Sequence, residues 1–113
     1  MSTSSEIAQL YFDLSNQADL SAIEKLIHPE ATYSSVNTGL YYGIENIMLM
    51  MRAFFDQYQS LQWQIKSIEQ LDQHITELYF DCEACKNNSE IDVFSGVERI
   101  VVVGGLIRYI EVR

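Results

Sequence analysis

At Tyr58 the hydrophobic period of the chain changes from helical to alternating, and that change limits the folds available to it. Before it, apolar residues recur at spacings of three and four. After it they recur at every second position, with a turn signal between successive runs. A chain that places its helices first and its strands last belongs to the α+β class.

Thr3-x-x-Glu6 has the form of a capping box, in which a threonine hydroxyl and a glutamate satisfy each other's orphan N–H groups. Behind it Ile7, Leu10, Tyr11, Leu14 and Ala18 define a first amphipathic helix. Asp19 or Ser21 can cap a short second helix carrying Leu20, Ile23, Leu26 and Ile27, which Pro29 stops. Ala31 to Ser35 reads as a short strand. Gly39 and Gly43 bracket a loop holding Tyr41 and Tyr42. A third helix then buries Ile44, Ile47, Met48, Met51, Phe55 and Tyr58, and Met50 and Phe54 widen its apolar stripe.

Leu61, Trp63 and Ile65 alternate with glutamines, and the phase slips before Ile68, which predicts a bulge near Lys66-Ser67. Strands follow over His74 to Lys86, about Ile91 to Val103, and Leu106 to Val112. The turn cluster Lys86-Asn87-Asn88-Ser89 and the two-residue hairpin signal Gly104-Gly105 separate them. The four runs make an antiparallel meander. The chain's 113 residues carry no repeat, linker or low-complexity segment, so residues 1–113 read as one domain.

Composition excludes several functions. Sixteen acidic residues against seven basic ones give a formal charge of −9, a field that repels a phosphate backbone, so no nucleic acid is expected as a partner. No apolar run approaches the roughly 20 residues that cross a bilayer, and no membrane partner is expected. The opening residues, Met1 to Glu6, lack the basic and apolar regions of a signal peptide, and the expected address is cytoplasmic. Cys82 and Cys85 form a C-x-x-C, yet residues three apart in a strand point to opposite faces. They read as two structural thiols. No metal-ligand spacing, nucleophile triad or phosphate loop occurs, so neither a metal nor another cofactor is expected.

The order of these elements, with Asp19 to Tyr33, Tyr42-Gly43-Ile44-Glu45-Asn46-Ile47, Gly96-Val97-Glu98-Arg99-Ile100 and Gly105-Leu106-Ile107, resembles the nuclear transport factor 2-like superfamily, of the SnoaL-like kind. The resemblance covers essentially the whole chain. It implies a cone-shaped, curved antiparallel sheet wrapped around three N-terminal helices, a cystatin-like α+β roll, usually dimeric. Families with this fold include steroid isomerases, polyketide cyclases, dehydratases and binding proteins, so fold alone does not name the activity.

The steroid isomerases place a tyrosine donor on the first helix, an aspartate base at the end of the first strand and a second acid on a late strand. Tyr11 matches the tyrosine. Ser35 falls where the aspartate stands, and a serine hydroxyl is no general base near neutral pH. The late acid falls near Val97-Glu98. On one register Glu98 enters the pocket beside Tyr11; on the other Arg99 does.

The expected pocket is lined by Tyr11, Tyr33, Met48, Phe55, Trp63 and Glu98, with Tyr41 and Tyr42 as candidates for its mouth. His28 is expected to cap the helix before it, and His74 to be solvated. Three functions are compatible with this pattern. The first is binding of a small hydrophobic or ring-containing ligand. The second is cofactor-independent isomerase or lyase chemistry with Glu98 as proton shuttle and Tyr11 as oxyanion donor. The third is a homodimeric interaction domain using the outer sheet face. Because the expected base is a serine, binding ranks first.

Overall fold

Three helices cover one face of a curved, unclosed six-stranded sheet in the computed structural model, which describes residues 3–113. Met1 and Ser2, the start of the segment read for a leader, lie outside the described residues. In chain order the elements are α1 (Ser4–Asn16), α2 (Leu20–Leu26), β1 (Ile27–Ser35), β2 (Gly39–Tyr42), α3 (Ile44–Phe55), β3 (Tyr58–Gln70), β4 (Ile75–Lys86), β5 (Ile91–Val103) and β6 (Leu106–Val112). The sheet order is β2-β1-β6-β5-β4-β3. Among the described residues no helix is long and apolar enough to cross a membrane.

The local signals that start each element have clear partners. Thr3 Oγ1 accepts the Glu6 N–H at 3.1 Å, and Glu6 Oε1 accepts the Thr3 N–H at 3.0 Å. Asp19, rather than Ser21, caps α2 by accepting the Ala22 N–H at 3.1 Å. Gly104 and Gly105 both take positive φ (62° and 82°), the conformation that a two-residue turn between right-twisted strands requires. The bulge in β3 lies between Ile65 and Ser67, which pair with the consecutive residues Phe80 and Tyr79 and leave Lys66 as the extra residue.

Several sequence expectations need correction. The first strand begins at Ile27, before Pro29, and the tyrosine-bearing loop is itself a strand, β2, antiparallel to β1. Proline fits there because β1 breaks register between Ile27 and Thr32. The sheet is antiparallel except for the β1–β6 pairing, which is parallel. On α1 the buried row is Ser4, Ile7, Ala8, Tyr11, Phe12 and Ser15, while Leu10 is 43% exposed. His28 caps no helix: its Nδ1 accepts the Glu30 N–H at 2.9 Å within β1, and the backbone N–H of Ile27 closes α2. His74 is exposed, with its Nδ1 against the Val102 carbonyl at 3.0 Å.

The core lies between the helices and the concave sheet face, where Leu78, Ile100, Ile107 and Ile110 are essentially inaccessible. The start of α1 is pinned to β4 by a buried hydroxyl pair, Ser4 Oγ and Thr76 Oγ1, 2.9 Å apart. Gly96 is a glycine because a Cβ there would come within 2.9 Å of both the Arg113 carbonyl oxygen and Phe80 Cζ. Its cross-strand partner Phe80 occupies that space instead.

Cys82 is buried on the core face, and burial pushes its thiol up to about 12, whereas Cys85 is half-buried on the other face; both are free. Alkylation without reductant should therefore label two thiols in denaturant, with Cys82 protected in the native state. A mass showing no label after denaturation would mean a disulfide and overturn the strand assignment.

Candidate functional site

Glu98 occupies a position that its strand otherwise gives to apolar side chains. Along β5 the inward row is Phe94, Gly96, Glu98, Ile100 and Val102, and Glu98 is 5% exposed within it. Pairing with Leu78 on β4 and Val112 on β6 fixes the register. Arg99 therefore points outward, where its Nε donates to Glu77 Oε2 at 3.1 Å. Of the two candidates left open by the sequence, Glu98 faces the interior.

The buried carboxyl has little to stabilise its charge. Glu98 Oε2 has no hydrogen-bond partner among the described residues, and burial without compensation disfavours the ionised form. Its pKa is pushed up to about 8. Tyr11 and Tyr33 stand near enough for that carboxylate to oppose their ionisation. Both phenols are driven upward, by burial first and the Glu98 charge second.

These three groups share a cavity of about 60 Å³. Helix α1 contributes Tyr11, Phe12 and Ser15 to its wall, and α3 contributes Met50, Met51, Phe54 and Phe55. Trp63 enters from β3, Phe80 from β4, Phe94 from β5 and Val112 from β6; Tyr33, Ser35, Asn37 and Thr38 complete the side nearest β1. The rings form two packed groups. Tyr11, Phe12 and Phe80 touch in sequence with centroids 5.9 and 5.8 Å apart, and Phe55 lies between Phe54 and Trp63 at 6.0 and 5.8 Å. A more polar depression of about 440 Å³ adjoins this cavity, sharing Ser15 and Phe55 with it.

Of the six residues expected to line a pocket, Tyr11, Tyr33, Phe55, Trp63 and Glu98 meet at this cavity. Met48 does not. It is fully buried on the same side of α3 as Phe55, but the cavity opens at the C-terminal end of that helix. Met48 lies about 10 Å along the axis from Phe55, and Met50 and Met51 form the near end of the wall in its place. Tyr41 braces the loop instead, its hydroxyl donating to the Thr38 carbonyl at 2.8 Å, and Tyr42 is 60% exposed. Ser35 lines the cavity, and its hydroxyl oxygen accepts the Asn37 N–H at 3.1 Å, which orders the turn after β1.

Two residues of the site carried a weaker signal. Thr38 lies in a loop with no periodicity, yet its Oγ1 is a second buried polar atom without a partner among the described residues. Asn16, at the end of α1, clamps the backbone of Trp63: its Nδ2 donates to the carbonyl at 2.9 Å and its Oδ1 accepts the N–H at 2.7 Å. Among the described residues no three His, Cys, Asp or Glu side chains gather to hold a metal ion.

Comparison with known proteins places the chain in a wider group. The family model described as SnoaL-like domain matches residues 8–110. No curated protein matches the sequence. Among solved structures, TerC co-crystallized with polyporic acid superposes with a TM-score of 0.85 at 11% identity, over 99% of this chain and 91% of that one. An uncharacterized cystatin fold protein from Novosphingobium aromaticivorans gives 0.86 at 14% identity, over 100% and 99%. An NTF2-like protein of unknown function from Burkholderia pseudomallei gives 0.87 at 10%, over 100% and 91%. At these identities the likeness concerns the fold.

Proposed function

Because the chain belongs to the SnoaL-like domain family, we propose that it is a pocket protein enclosing a small hydrophobic or ring-containing ligand between its helices and the concave sheet. One observation carries this reading: an aromatic cavity holds two buried polar atoms, Glu98 Oε2 and Thr38 Oγ1, without partners among the described residues. Such atoms cost free energy unless something satisfies them, and a ligand with a polar group would do so. That TerC, of the same fold, was crystallized with polyporic acid is consistent with this use of the scaffold. Trp63 is the only tryptophan and lies on the cavity wall, so its emission reports on the site. A panel of small phenols, cyclic ketones and amines should include members that change Trp63 emission saturably and raise the melting temperature. If none does either, the pocket reading is wrong.

Catalysis is a second reading, favoured by the Glu98 carboxyl, whose pKa of about 8 suits proton transfer near neutral pH. Glu98 would shuttle the proton and Tyr11 would donate to the developing oxyanion, without a cofactor. Deuterium exchange next to the carbonyl of a small cyclic ketone tests it. The rate should drop roughly 100-fold or more in Glu98→Gln, and an unchanged rate would leave binding alone.

The homodimer belongs to this proposal too. The outer face presents Val93 (71% exposed), Tyr79 and Val103, on the side opposite the cavity row. Sedimentation equilibrium at tens of micromolar should give twice the chain mass, and a monomer there would count against it. A cytoplasmic address belongs to the same proposal and is checked by cell fractionation.

A further inference from the structure

We infer that the cavity selects a small alkylammonium cation, held between the two aromatic groups with the Glu98 carboxylate as its counter-ion. The inference rests on the pocket reading and narrows it to a ligand class.

The wall supplies what a quaternary or tertiary ammonium needs and no cationic side chain to pair with an anion. Eight of its sixteen residues are aromatic. Ring faces attract a cation within about 6 Å of their centroids, most strongly where water is excluded. The rings form two groups, Tyr11-Phe12-Phe80 and Phe54-Phe55-Trp63, so a guest between them meets aromatic surface on more than one side. Among the described residues the only charged one on the wall is Glu98, whose Oε2 lacks a partner there, and no Lys, Arg or His lines the cavity. At pH 8 and above an anionic ligand would face the ionised carboxylate and no cation. The chain's charge of −9 also draws cations toward the surface.

Size agrees with a small head group. A cavity needs about 10–15 Å³ for each water-sized occupant, so about 60 Å³ accommodates four to six such groups. Tetramethylammonium has five non-hydrogen atoms.

Binding should be linked to one proton. The titratable groups on the wall are Glu98 from β5, Tyr11 from α1 and Tyr33 from β1; α3, β3, β4 and β6 contribute none. Both phenols are shifted upward, so neither ionises between pH 6 and 8. A permanent cation pairs with the carboxylate, and below pH 8 most Glu98 must first lose its proton.

The test titrates the intact protein with tetramethylammonium, its neutral near-isostere tert-butanol, and the anion pivalate, following Trp63 emission and calorimetry. Tetramethylammonium should bind at least tenfold more tightly than tert-butanol at pH 8, and pivalate should not bind. Its affinity should rise on the order of 50-fold from pH 6 to pH 8, the ratio of ionised fractions for a group near 8. Calorimetry at pH 6.5 in two buffers of different ionisation enthalpy should count about one proton released. In Glu98→Gln, tetramethylammonium should weaken more than tenfold and lose its pH dependence, with tert-butanol little changed. Tert-butanol binding as tightly as the cation, or an affinity flat with pH in the wild type, would overturn the inference and leave the pocket reading intact. Silence from all three probes would sink both.

Discussion

Replacing Glu98 with glutamine should raise the melting temperature at pH 7 by on the order of 10 °C. The carboxyl is ionised above about 4.5 in the unfolded chain but holds its proton to about 8 in the folded one. Below 4.5 both states are protonated and Glu98 makes no pH-dependent difference. Between 4.5 and 8 the folded state binds the extra proton, so stability falls as pH rises, by about 1.4 kcal/mol per unit. By pH 7 the loss is roughly 3 kcal/mol, and a glutamine, which has no charge to bury, escapes it. Glu6, Glu77 and Asp81 act in the opposite sense. Hydrogen bonds from Thr3, Arg99 and Ser95 hold them below the usual carboxylate range, and their contribution is lost as pH falls. The wild type should therefore be most stable near pH 5 and the variant over a broader range. Thermal melts at pH 5, 6, 7 and 8 decide the matter. A gap between the two proteins that does not widen with pH would mean that Glu98 is solvated.

Truncating Phe80 to alanine should cost about 3–5 kcal/mol, and the cost should itself depend on pH. The ring is 3% exposed, packs on Phe12 with centroids 5.8 Å apart, and fills the space kept open by Gly96. Removing it joins new volume to a cavity that already contains polar atoms, so water can enter. Hydration of Glu98 lowers its pKa toward 4.5 and relieves part of the burial penalty. The destabilisation should be larger at pH 5 than at pH 8, and an NMR titration of the Glu98 carboxyl carbon should move downward in the variant. Equal losses at both pH values, with an unmoved titration, would show that the cavity stays dry.

The sequence made the order of elements legible because each boundary carried a local mechanism. The capping box, the slip before Ile68 and the glycine pair at 104–105 act within a few residues and depend little on the rest of the chain. Strand β2 was missed because four residues flanked by glycines have no period of their own, and they become a strand only through pairing with β1. The β1–β6 partnership joins segments more than 70 residues apart and leaves no local trace. At the cavity, alternation alone favoured Glu98 but left Arg99 open on the other register, and the β4–β5 pairing separates them. Phe80 and Phe94 were in phase with the inward rows but carried no mark distinguishing a cavity wall from a filled core. Met48 failed for the reverse reason. A helical stripe tells which side faces inward, not where along the axis the packing opens.

The clamp from Asn16 to Trp63 has a consequence for how this protein behaves in a crowded solution. Strand β3 is an outermost strand of 13 residues, long enough to template growth by a stray chain. A carboxamide carries the same donor and acceptor as a peptide group, so Asn16 imitates one residue of a neighbouring strand and ends the ladder there. The opposite edge, β2, is only four residues long and offers little to copy. The sheet is thus left open with both edges blunted, the short one by its length and the long one by a single asparagine at a helix end.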